Sequence, residues 1–582
     1  REAAMIEQGA QRYGWPAMTR ALRSAAHEPY LKGNLETAEA WRHAACWAEA
    51  WAETTDAFTA RWQAARRTEA EGGDPFAATK TSEAEASSAE PAEARRMADL
   101  FSPELRIWAL GNAEFSAGYF GTEQAADFRP ESFAILNRLH ARDAAVFAEF
   151  SALATAIALV HDTPPPREWP HWQVTTEALP RRLPAPEDTF GFFVELEKSG
   201  RGLQPLRKLD PAELRFLVDL VAPMDELRWA QTRIKTPLAK LDETYSLINY
   251  RMDRISAGAY VWLGKSYALD EILSEGGICV DQAYFATQAG KARGVPTLLF
   301  GGAGRDGRHA WFGYLGSGGK WQMDAGRYEE QKFVTGVAID PQTWGEITDH
   351  ELAFLSEGFR RERNFREAAV HAGFARWLAD DGRAKEAELA ARAAVRLERR
   401  EIGGWEVLLA LRPTAGTERE AVAREAAAGL SSYPELQARF LDEAITSLRT
   451  RGEHEEADRL GREMARRFAK KRGDLSVAQI AQQLARASET QTPEEQMRLY
   501  RSVLRRFGRG EGAAWWDEVV RPFVARLALA GRFTDARAAL GFARETLGGT
   551  TGSQLATEMR ELDAALAAAE RTAAGAGAGG KK

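Results

Sequence analysis

Three side chains within residues 276–327 have the types needed for nucleophilic acyl chemistry: the thiol of Cys279, the imidazole of His309 and the carboxylate of Asp324. A thiolate attacks, an imidazole holds or removes the thiol proton, and a carboxylate keeps the ring in one orientation. The three occur in Gly276-Gly277-Ile278-Cys279-Val280-Asp281-Gln282-Ala283, in His309-Ala310-Trp311 and in Trp321-Gln322-Met323-Asp324. A cysteine on its own is more often a small buried hydrophobe than a nucleophile. A histidine beside Ala-Trp can simply pack in a strand, and an aspartate before Ala-Gly can simply start a turn. The conjunction of the three favours catalysis. A metal site is a weaker reading, because no second Cys or His stands near them.

The chemistry requires particular elements. Gly276-Gly277 is a turn signal, and Arg293-Gly294-Val295-Pro296 supplies a basic last turn, a glycine stop and a block to continuation. A helix is predicted over 279–292, with Cys279 in its first turn. The unpaired N–H groups and positive dipole end there favour a thiolate. Strands are predicted over 297–300, 309–315 and 320–324, with a loop from Gly301 to Arg308 and a hairpin at Gly316-Ser317-Gly318-Gly319. With Ser317 and Gly318 as the hairpin loop, facing residues share an odd index sum. His309 then faces Gly326, and Asp324 lies two residues along on the same face, a diagonal of ~7–8 Å. An even sum would put them on opposite faces.

Taken together, these motifs resemble the transglutaminase-like superfamily of papain-type folds, over about residues 240–345, less than a fifth of the chain. The resemblance implies an α+β catalytic domain, a helix packed on an antiparallel sheet. It implies Cys279 as nucleophile, His309 as base and acid, and Asp324 as the group that orients the imidazole. Asp324 departs from the family in being followed by Ala325-Gly326-Arg327. The expected activity is cysteine-dependent hydrolysis of a peptide or protein amide through a thioester. The alternatives are a cross-linking acyltransferase, where an amine replaces water, and a non-catalytic peptide-binding scaffold. Hydrolysis is favoured because water is always available and nothing marks an amine-acceptor site. The Cys279 backbone N–H is one expected oxyanion donor, with Trp262, Tyr250 or Tyr267 as the second. No cofactor-binding motif is present: Gly301-Gly302-Ala303-Gly304 lacks the Gly-Lys-Ser/Thr ending of a phosphate loop and is read as a flexible hairpin loop.

Around this unit the 582 residues read as mostly helical. Residues 1–67 form an N-terminal helical segment with a helical hairpin turning at Gly33-Asn34. Residues 68–96 are a low-complexity linker, and 97–204 a helical domain with a proline-rich connection. The catalytic domain spans 205–345, opening on a helix capped by Asp210, Pro211 and Glu213. Helical pattern continues to about Arg254, and the segment is expected to pack against the catalytic unit. In 346–570 the form Gly382-Arg383-Ala384-Lys385-Glu386-Ala387 recurs from Gly452 and from Gly531. The separations of 70 and 79 residues are near twice the roughly 34-residue tetratricopeptide unit. Such repeats imply a protein partner, with plain antiparallel helices as the alternative. Residues 571–582 are expected to be a loose tail.

Composition narrows the class. Lys and Arg number 77 against 84 Asp and Glu, a net charge of −7, which argues against non-specific nucleic-acid binding as the main function. No stretch approaches the ~20 apolar residues of a membrane span. The nearest, Ser151 to Val160, is read as a buried helix. Seventeen tryptophans point to large cores or an aromatic-lined groove. Two cysteines exclude a disulfide framework, and a Cys46–Cys279 bridge would consume the nucleophile, so no compartment is assigned. The first residue is Arg, and the start is read as trimmed.

Overall fold

The computed structural model describes residues 2–72, 95–121, 129–328, 334–508 and 510–579. Most of the linker expected at 68–96 lies outside these; residues up to Gly72 continue the helix Thr55–Gly72. The protein is mostly helical, with one small five-stranded antiparallel sheet, an α+β composition. The strands are β1 (Thr297–Ala303), β2 (Arg308–Leu315), β3 (Trp321–Ala325), β4 (Val337–Ile339) and β5 (Glu346–Thr348), in the spatial order β3-β2-β1-β4-β5. Two compact units divide the chain. The first comprises 1–299, 311–326 and 338–347; the second comprises 300–310, 327–337 and 348–582.

In the first unit, the helices Trp15–Leu31 and Leu35–Ala52 turn at Gly33, whose φ of 75° belongs to the left-handed region that glycine tolerates. Asn34 accepts from the Thr37 N–H as the cap of the second helix. Trp47 and Trp51 are fully buried among Phe101, Phe115, Tyr119 and Phe133, and the Trp47 indole donates to Ser116 Oγ at 3.0 Å. The tryptophans thus serve cores here. Helix Ser151–His161 is buried from Leu153 to Val160, and no helix among the described residues is long and apolar enough to cross a membrane.

The Asp210 cap forms as predicted: the Glu213 N–H donates to Asp210 Oδ1 at 2.8 Å, and the Asp210 N–H to Glu213 Oε2 at 3.2 Å. The helical pattern beyond it is broken into Pro211–Val218, Met224–Arg233, a 3₁₀ stretch Leu238–Leu247 and Met252–Ser256. Pro223 and Pro237 stand just before the second and third of these, where a missing N–H costs nothing. The pieces Met224–Arg233 and Leu238–Leu247 pack on the helix Cys279–Ala292. Gln288 Oε1 accepts from the Val221 and Ala222 N–H groups, and Gln282 Nε2 donates to the Ile248 carbonyl at 2.9 Å.

In the second unit, Gly382, Gly452 and Gly531 sit in turns between helices with φ of 73°, 81° and 72°. Ala387, Ala457 and Ala536, five residues on from each, are wholly buried where the paired helices approach. Of the tail expected at 571–582, residues 571–579 belong to the helix Gln554–Gly579. Residues 580–582 lie outside the described residues.

Candidate active site

Cys279 is the first residue of the helix Cys279–Ala292, the span predicted from its punctuation. Gly276 and Gly294, at its two ends, have φ of 73° and 75°. A Cβ on Gly276 would meet the Asn249 carbonyl oxygen at 2.5 Å, so the approach to the helix accepts only glycine. The preceding backbone is held as a short ladder: the Gly277 N–H donates to Asn249 O at 2.9 Å and the Arg251 N–H to Gly277 O at 2.9 Å. The Cys279 thiol is reduced and half-buried.

Beneath the first turn lies a buried polar network. Asp281 accepts the Ile278 N–H at 2.8 Å, Arg254 Nη1 at 2.7 Å and Tyr267 Oη at 2.7 Å, with no solvent exposure of its own. Burial pushes this carboxyl up, and hydrogen bonds from Tyr267, Ile278 and Arg254 oppose the rise. Arg254 also donates to the Ala259 and Tyr260 carbonyls. His171 Nε2 lies 3.1 Å from Tyr267 Oη. The Tyr267 proton goes to Asp281, so His171 donates through Nε2. Its Nδ1 is the acceptor nitrogen of a neutral ring and has no partner. Sequence reasoning missed this network. An acid at the third helical position was the legible signal, as half of a capping box.

Two of the three expected oxyanion donors are committed elsewhere. The Trp262 indole donates to the Ser266 carbonyl at 2.7 Å, and the Tyr267 hydroxyl is spent on Asp281. Tyr250 is 38% exposed and bridges to Gly277. A phenol not singled out from sequence, Tyr245, donates to the Cys279 carbonyl at 3.4 Å. Its ring also fills the place of a side chain at Gly326: a Cβ there would come within 2.6 Å of the ring. One side chain therefore touches both the mouth of the cysteine helix and the turn two residues beyond Asp324.

The hairpin differs from its predicted register. The Gly316 N–H donates to the Lys320 carbonyl at 2.8 Å, which makes a three-residue loop of Ser317-Gly318-Gly319. Gly318 and Gly319 both have positive φ, so the loop needs both glycines. Tyr314 consequently faces Gln322 and Leu315 faces Trp321, an even index sum. An irregularity then shifts the register, and Phe312 faces Ala325, an odd sum. Met323 and Asp324 oppose the single residue Gly313 at this bulge. The Trp311 indole reaches across to the Met323 carbonyl at 2.8 Å. Asp324 is exposed on β3, inside the bulge rather than in a regular pair.

His309 is the second residue of β2 and is 7% exposed. Its ring stacks on Tyr328 with centroids 4.0 Å apart. Cys279 and Asp324 belong to the first unit, His309 to the second. Gly301, Gly302 and Ala303 are strand residues of β1, with Gly301 paired to Val337, so the loop shrinks to Gly304–Gly307. Among the described residues, no group of three or more His, Cys, Asp or Glu side chains is arranged to hold a metal ion. Compared with known protein families, curated proteins and solved structures, the chain finds no match in any of the three.

Proposed function

We propose that the chain is a cysteine-dependent hydrolase of peptide or protein amides. Cys279 is the nucleophile, His309 the base and acid, and Asp324 the carboxylate that orients the imidazole. The reading rests on one observation above the others: the thiol heads a fourteen-residue helix. There the positive end of the helix dipole favours the anionic sulfur.

The steps follow from these roles. His309 takes the thiol proton as sulfur attacks the amide carbon. The oxyanion accepts the Cys279 backbone N–H, with Tyr250 as the second donor. The imidazolium gives its proton to the departing amine, leaving a thioester. Water attacks the thioester, loses a proton to His309, and releases the acid and the thiol. An amine in place of water would make the same intermediate a cross-link. The helical array of the second unit would recruit the substrate protein.

The test is the rate of iodoacetamide labelling of Cys279 across pH, in the intact protein and in His309→Ala. An activated thiolate gives a labelling step well below the free-cysteine value of about 8.5, and the step moves up in His309→Ala. Labelling that follows free cysteine in both proteins rules out the proposed nucleophile.

A further inference from the structure

The residue immediately before His309 is held unusually firmly, and by partners remote in sequence. Arg308 Nε and Nη2 donate to the two oxygens of Asp517 at 3.1 and 2.6 Å. Nη1 and Nη2 donate to the two oxygens of Glu558 at 2.6 and 3.1 Å. The Arg308 backbone N–H donates to Gln554 Oε1 at 3.1 Å. One guanidinium is thus gripped by two carboxylates, a planar bidentate geometry that lysine cannot reproduce. About a third of the Arg308 side chain is exposed, and the carboxylates are comparably covered.

The turn leading to Arg308 is anchored to the same helices. The Ala513 N–H donates to Gly304 O and the Leu555 N–H to Asp306 O, both at 3.1 Å. Thr550 donates to the Asp306 carboxylate through its hydroxyl and its N–H. A Cβ on Gly512 would come within 2.4 Å of the Arg305 carbonyl oxygen. Asp517 itself rides on a π-helical turn, Trp516–Val520, a wide turn that is rare in helices and frequent at functional sites. Trp516, Val519 and Val520 of that turn are buried in the core of the C-terminal helices, so the carboxylate has a rigid base.

We infer that Arg308 is a positioning residue for His309, and that Asp517, Glu558 and Gln554 make the C-terminal helices part of the catalytic apparatus. The inference rests on His309 acting as the base proposed above. All the anchoring bonds fall on residues 304–308, so they set where the strand begins and therefore where the imidazole is presented. A shift of about 1 Å in a catalytic group is enough to lower a rate by about a hundredfold. A glycine-containing four-residue turn would not hold that position alone.

The experiment measures Cys279 alkylation by iodoacetamide against pH in the full chain. The variants are Arg308→Gln, Arg308→Lys and the double variant Asp517→Asn/Glu558→Gln, each with circular dichroism and a thermal melt. Arg308→Gln and the double variant are expected to lose about tenfold or more of the labelling rate near pH 6.5, with the rate at high pH, where the thiol ionises unaided, unchanged. Arg308→Lys recovers only part. If Arg308→Gln fails to fold, the double variant, which leaves no unpaired carboxylate charge, carries the test. Folded variants that keep the wild-type pH profile, whatever their melting temperature, overturn the inference while leaving the proposed base intact. A wild type that lacks the low-pH step, matching His309→Ala, overturns both.

Discussion

Arg254 Nη1 lies 2.7 Å from Asp281 Oδ2, and the two side chains are 7% and 0% exposed. The pair sits directly under the first turn of the cysteine helix, where Asp281 also caps the Ile278 N–H. Removing one member leaves the other charged, buried and unpaired. Asp281→Ala or Arg254→Met is therefore expected to cost about 3–5 kcal/mol, read as a lower urea midpoint at unchanged slope. A cost below about 1 kcal/mol, the range of surface pairs, would show that the pair is not sealed in solution.

The same network makes stability depend on acidity. Burial, with the Arg181 charge as a lesser cause, holds the His171 ring down at about 3, against an ordinary value near 6.5. Between those values the unfolded chain binds a proton that the folded chain refuses, so stability falls as pH drops from about 6.5 toward 3. Each pH unit in that window costs up to about 1.4 kcal/mol for this one group. His171→Gln keeps an N–H for Tyr267 and removes this contribution. Denaturation midpoints at stepped pH are expected to decline less steeply in the variant than in the intact protein, in which His43 and His161 are also held low by burial. Parallel curves for the two proteins would contradict the assignment.

Gly326 ties the hairpin to the helix mouth. Its φ is 91°, and a methyl group there would strike the Tyr245 ring. Gly326→Ala meets both penalties, with backbone strain alone costing about 1–3 kcal/mol. The expected outcome is a lower melting temperature together with altered Cys279 alkylation, because Tyr245 also touches the Cys279 carbonyl. A stability loss with unchanged thiol reactivity would confine Tyr245 to packing.

Strain and packing separate cleanly in the repeated helical turns. Around Gly531 a Cβ would meet nothing, so Gly531→Ala pays only for its φ of 72°, about 1 kcal/mol. Ala536 is wholly buried, and Ala536→Leu overfills the contact between paired helices, at about 1–3 kcal/mol. Thermal melts of the two variants should rank them in that order; the reverse order would mean that the helices have room to part.

Local chemistry was legible where residues act on their neighbours. The ends of the helix Cys279–Ala292 follow from Gly276-Gly277 and Arg293-Gly294-Val295-Pro296, and the Asp210–Glu213 cap from three adjacent residue types. The hairpin register was not legible, because Gly316 to Gly319 supports a two- or three-residue loop equally well. The bulge opposite Gly313 answers to packing rather than to turn chemistry. Asp517 and Glu558 are 209 and 250 residues from Arg308, a distance over which no periodicity carries information. Tyr245 was equally invisible, since its 3₁₀ stretch has no apolar rhythm that marks a phenol as special.

The order in which the chain emerges during synthesis gives the Arg308 anchorage a temporal meaning. Protein is made from its N-terminus at ~5–20 residues per second. Arg308 therefore waits through 250 further residues before Glu558 exists to receive it. The nascent chain carries the cysteine helix and the hairpin long before the start of β2 is fastened. On the proposed function, the imidazole of His309 lacks this anchorage until the helix Gln554–Gly579, which carries Glu558, has been made.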